Sequence, residues 1–215
     1  MPFVKIKAPL AKSRTLRYSQ NYHLPLGFIS TGKMNLNEQQ RVDLSFTKNL
    51  METTVSTNTL FITTVLKSWT VQVTRITDVI NRTTDADLTA EIAPGKNNGH
   101  YLLGHLVAVN DGLLPLLGFG DKLYPQLAAP FITSPYKAGT EYTSLSELKT
   151  YWKNVSELLF QKFETLAPEE WLSRHTAVSE EDFAKDPYRN KLNVLVSRTT
   201  HMSYHLGQLV WMKKG

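Results

Sequence analysis

Two histidines, His201 and His205, stand four residues apart in the apolar C-terminal run "RTTHMSYHLGQLVWMKKG". On an α-helix, residues i and i+4 share a face about 40° apart, so two imidazoles at that spacing converge on one point and can hold one ion. Zinc peptidases use the same H-x-x-x-H spacing, but Met202 and Ser203 stand where their glutamate would be, which excludes that chemistry. Alone, the pair is weak evidence for a metal, because two histidines at that spacing can simply cap the polar edge of a helix.

A third ligand would decide between the two readings, and the chain offers His23, His100, His105 and His175 besides the pair. His105 follows Gly104 among Leu102, Leu103, Leu106 and Val107, where an unpaired imidazole would be costly to bury, so it is the stronger candidate. His100 is five residues earlier and about 140° out of register, and it reads as a helix-start residue in water. Arg198 and Gln208 flank the pair at three residues and reach either the site edge or solvent. Ligand histidines donate their second nitrogen to a carboxylate or carbonyl, so an acidic partner is expected. Asp111 reads as a polar break in its helix rather than as that partner.

Four helix-length apolar patterns position these residues. The first, "NTLFITTVLKSWTVQVTRITDVINR", carries Leu60, Val65, Trp69, Ile76 and Ile80 along one stripe, though its many Thr and Val residues leave a strand alternative open. The second runs from about Asn98 until Pro115 and Gly118 end it. The third opens with a Ser144 to Glu147 capping box and continues through Leu148, Trp152, Val155, Leu159 and Phe163 to "LAPEEW", where Pro168 starts an extra turn. The fourth runs from about Lys191 and carries the histidine pair. Between the second and third lies a Pro- and Gly-rich connection, "GFGDKLYPQLAAPFITSPYKAGTEYT", and "HTAVSEEDFAKDPYRNKLN" precedes the fourth; connections this long shape pocket mouths. Trp152 and Trp211 read as core or dimer contacts.

The chain has 215 residues, enough for one domain with a core, and no cysteine, which excludes disulfides, thiolate metal sites and a cysteine nucleophile. Its longest apolar runs fall well short of the roughly 18 to 20 residues that span a bilayer, so no membrane and a cytoplasmic location are expected. The net charge is +5, but residues 1–50 hold eight Lys/Arg against two Asp/Glu, leaving residues 51–215 near neutral. No basic stripe for phosphates remains, and nucleic acid is not an expected partner. Residues 1–50 lack helical or strand periodicity and read as a disordered or non-native extension, with Met34 or Met51 as alternative starts.

"YLLGHLVAVND" together with "SRTTHMSYHLGQLVWMKK" resembles the DinB-like superfamily, of DinB/YfiT type, over about residues 57–214. The resemblance implies an all-α four-helix bundle with a long crossover between helices two and three. It implies that His105, His201 and His205 bind a divalent metal, zinc or nickel first and iron or manganese next. Relatives that include thiol S-transferases and a thiol-dependent maleylpyruvate isomerase imply a metal-dependent enzyme, a thiol transferase or hydrolase acting on a small molecule with a low-molecular-weight thiol as cosubstrate. The alternative is a non-catalytic metal-binding or stress-related bundle with a structural role. His175 lies outside the three-ligand pattern and is expected, with Arg198 and Gln208, at the pocket; a homodimer is compatible, and no catalytic residue is assigned.

Overall fold

The computed structural model describes residues 38–137 and 139–212. The chain divides into two units, 1–43 and 44–215, and of the first only the helical residues 38–43 are described. Helix α1 spans Glu38–Arg82, beginning well before the apolar pattern that opens at Asn58. The expectation of a disordered or non-native extension therefore lies outside the described residues up to residue 37, and residues 38–50 are helical.

No strand forms in α1. The hydroxyls of Thr64, Thr70, Thr74 and Thr77 each donate to the carbonyl four residues back, at 2.8–3.0 Å, so the threonines are satisfied within the helix. Ile62, Trp69, Ile76 and Ile80 form its buried stripe. Leu60 does not belong to it and is 66% exposed, because two residues before Ile62 place it about 200° round the helix.

Helices α2 (Asp85–Thr89), α3 (Gly99–Asp111), α4 (Leu113–Leu117), α5 (Leu145–Thr165), α6 (Pro168–Trp171), α7 (Glu180–Lys185) and α8 (Lys191–Val210) follow. The four longer ones, α1, α3, α5 and α8, make a bundle-like all-α arrangement. Asn98 caps α3 by accepting from Tyr101 N, and Ser144 and Glu147 form the reciprocal capping box of α5. Leu148, Trp152, Val155, Leu159 and Phe163 of α5 are all buried. Trp152 Nε1 donates to Thr77 Oγ1 at 2.9 Å, and the Trp69 and Phe163 rings meet edge-on at 4.9 Å, which joins α5 to α1. Among the described residues no helix is long and apolar enough to cross a membrane.

The connection from α4 to α5 is strapped along α3 rather than looped free. At one end the fully buried Asp111 carboxylate accepts from Leu123 N and Tyr124 N at 2.8 and 2.9 Å, so it is a clamp and not merely a polar break. A 3-10 turn, Pro125–Leu127, and a π-helical turn, Ala129–Thr133, then bury Leu127 and Phe131 completely. At the other end Tyr101 Oη donates to Ser134 O at 2.8 Å and His100 Nε2 donates to Thr143 O at 2.6 Å. His100 is thus a strap residue, half-buried against Tyr142, and not the solvent-facing residue expected.

The Phe131 ring lies directly on Gly104, where a Cβ would overlap it. Gly104→Ala should therefore destabilise the protein by about 1–3 kcal/mol through overpacking. Gly207, in α8 with open space around it, provides the contrast: Gly207→Ala should stabilise by about 0.5–1 kcal/mol. Urea midpoints of the two variants measure this, and equal midpoints would overturn the packing argument.

Candidate metal centre

His105 projects from the middle of α3, and His201 and His205 from one face of α8. Their Nε2 atoms converge: His201 Nε2 lies 3.2 Å from that of His105 and 3.0 Å from that of His205, and all three ligand atoms fall within 4.8 Å of one another. Nitrogens about 2.0–2.1 Å from a tetrahedral zinc ion would stand roughly 3.4 Å apart, so the cluster has the dimensions of an ion's coordination shell. His205 is buried and the other two are half-buried.

The outer nitrogens explain why the inner ones face each other. His105 Nδ1–H donates to the Phe131 carbonyl at 2.7 Å, and His205 Nδ1–H donates to Gln208 Oε1 at 2.7 Å. With a hydrogen on Nδ1, a neutral imidazole carries its lone pair on Nε2, so both rings present acceptors to one point. The expected acidic partner is absent among the described residues: a backbone carbonyl and an amide oxygen do its work. His201 Nδ1 is buried and has no partner.

Burial and the neighbouring groups favour the neutral form of His201 and His205. Desolvation, then the neighbouring His205, His105 and Arg198, pushes His201 from an ordinary 6.5 down to about 4. Desolvation also lowers His205, against a raising hydrogen bond from Gln208 and with a further lowering by His105. Neutral imidazoles are the ligand form, so a cation meets little competition from protons near neutral pH.

Of the other expected site residues, only Gln208 touches the cluster. His175 and Arg198 share a separate cavity of about 210 Å³ between α4 and the start of α8. The connection before α8 is held there by Thr176 N and Oγ1, which donate to Leu116 O and Pro115 O, and by Lys191 N, which donates to Ser173 O. Arg189 also lines this cavity and was not foreseen, although it stands immediately before Asn190, the N-cap of α8. The carbonyl of Phe131 was missed as well, and as a backbone atom supplied from the crossover it leaves no mark in residue spacing. Trp152 is core, as expected, but Trp211 is 80% exposed and Tyr204 beside His205 is 64% exposed.

The profile of the DinB superfamily matches residues 63–209, which include all three clustered histidines. A comparison with curated proteins found no match.

The lowered His201 value carries a stability prediction for metal-free protein. Between about 6.5 and about 4 an unfolded chain protonates His201 while the folded one does not, so stability falls as pH falls through that window and is unaffected by this group above it. His201→Asn should flatten part of that slope. Urea unfolding with a chelator present, from about pH 7 to about pH 4.5, reads the difference. Identical slopes for wild type and variant would show that His201 protonates freely in the fold.

Proposed function

The chain belongs to the DinB superfamily, and on that premise we propose that it is a metal-dependent enzyme acting on a small molecule, with His105, His201 and His205 as the ligands of one divalent ion. The observation that carries the reading is the convergence of three Nε2 atoms, two of them fixed as lone-pair donors by hydrogen bonds on the far side of the ring. Nitrogen ligands of this type suit zinc or nickel, and also iron or manganese.

Three neutral imidazoles leave a tetrahedral ion one open position, and an ion so held lowers the pKa of a bound water or thiol toward neutrality. The chain's own residues supply orientation. Phe131 O and Gln208 Oε1 hold His105 and His205 in one tautomer, and the crossover covers the α3 side of the cluster. Tyr204 on α8 and Trp211 just past its end leave exposed aromatic surface. A thiol transferase reaction fits a protein without cysteine, because the thiol then comes from a low-molecular-weight cosubstrate. The ligands also bridge α3 and α8, which favours a second reading in which the ion only clamps the two helices. An exchangeable water or thiol in the open position separates catalysis from that reading.

Elemental analysis of protein purified without affinity-tag metal should find about one divalent ion per chain. His105→Ala, His201→Ala and His205→Ala should each lose it, whereas His100→Ala and His175→Ala should retain it. Holo protein should exceed apo protein in stability by about 2.7 kcal/mol at a hundredfold excess of free metal over Kd. A tightly held ion in all three cluster variants would overturn the assignment, and a thiol-transfer screen on the holo protein tests the reaction class.

A further inference from the structure

The cavity between α4 and the start of α8 opens at the protein surface, where Arg189, Asn193 and Ser197 are exposed and Arg198 and His175 are half-buried. Arg189 and Arg198 both face it, together with His175, Asn193, Ser197 and Leu116, and no carboxylate does. Neither guanidinium has an ion pair among the described residues. Arg198 Nε and His175 Nδ1 are both buried without a hydrogen-bond partner. Buried polar groups are almost always satisfied, and a part-buried guanidinium with no counter-charge is costly to keep, so two such orphans in one cavity call for a ligand. The N-terminal turn of the 20-residue α8 opens onto the same space through Asn193 and adds positive potential.

We infer that this cavity binds the oxyanion, a carboxylate or phosphate group, of the small molecule whose other end reaches the histidine cluster. The inference rests on the proposed metal site for the second half of that statement and on the cavity alone for the first. Arg198 and His201 lie on the same face of α8, one turn and about 4.5 Å of helix rise apart. A compact molecule held at the Arg198 guanidinium would reach the cluster along that face of α8. Arg198 supplies Nε in a planar donor pair that fits a bidentate oxyanion, Arg189 adds the second charge, and His175 contributes one further nitrogen. A volume of about 210 Å³ accommodates the charged group and a short chain.

Calorimetric titration of the holo protein with succinate and, separately, with inorganic phosphate tests the assignment. Saturable binding of either is expected, and the tighter of the two identifies the group. Arg198→Gln and Arg189→Gln should each weaken that binding about tenfold, the value of one charge-assisted hydrogen bond, while metal content stays at the wild-type level. Arg198→Lys should recover only part of the loss, since it keeps the charge without the fork. Arg198→Met should raise Tm while abolishing anion binding, a pairing that a structural arginine would not produce. Binding undiminished in the Arg189→Gln/Arg198→Gln double variant, or no saturable binding of either anion, would overturn the inference. Anion binding in a wild-type protein that holds no metal would sink the metal reading and leave the cavity's ligand in place.

Discussion

The carbonyl of Phe131 joins the crossover, helix α3 and the histidine cluster. It accepts from His105 Nδ1, and it can do so only because the ring of the same residue rests on Gly104, one position earlier in α3. A π-helical turn in the crossover brings ring and carbonyl to α3 together, the ring down onto the glycine and the carbonyl toward the imidazole. Such turns are rare and cluster at functional sites, and here the reason is geometric: the turn places a backbone acceptor where a side chain would otherwise be required. Asp111 at one end and Tyr101 and His100 at the other keep that turn in register.

What the residue pattern revealed and what it concealed divide along one line. The stripe of α5, the Ser144 capping box, the start of α3 near Asn98 and the His201–His205 pair are local, set by helical spacing within a few residues, and all were legible. The third histidine was legible because an imidazole among Leu102, Leu103, Leu106 and Val107 needs a reason to be buried. The contacts that bind distant segments were not. Nothing in the spacing of "APFIT" announces that its central phenylalanine will sit on Gly104, and Asp111 looks like a helix break until Leu123 and Tyr124 fold back on it. Leu60 was assigned to the wrong side of α1 because a Thr-rich helix has a weak periodic signal, and the true phase is that of the buried Ile62, Trp69 and Ile76, with Trp69 against Phe163 of α5.

Two electrostatic regimes meet on α8, one turn apart. At His201 and His205 the protein keeps nitrogens neutral by desolvation and mutual proximity. At Arg198 it keeps a charge that burial opposes and no carboxylate compensates. Both arrangements lower the stability of the empty fold relative to a well-paired or apolar interior. Sites of this kind persist where a ligand supplies what the chain lacks, a cation for the lone pairs in one case and an anion for the guanidinium in the other.

His201 is the histidine of the cluster whose tautomer the chain leaves undecided. His105 and His205 are committed, since Phe131 O and Gln208 Oε1 can only accept and so hold a hydrogen on each Nδ1. Their two Nε2 lone pairs then face His201 Nε2 at 3.2 and 3.0 Å, where a hydrogen on that atom can serve only one of them well. A cation at the same point serves all three lone pairs at once, which requires the His201 hydrogen to sit on Nδ1 instead. That nitrogen has no acceptor among the described residues, so the alternative tautomer is not prepared for in advance. Two of the three histidines are therefore preorganised to offer lone pairs to a cation, and the third would have to change its tautomer as one bound.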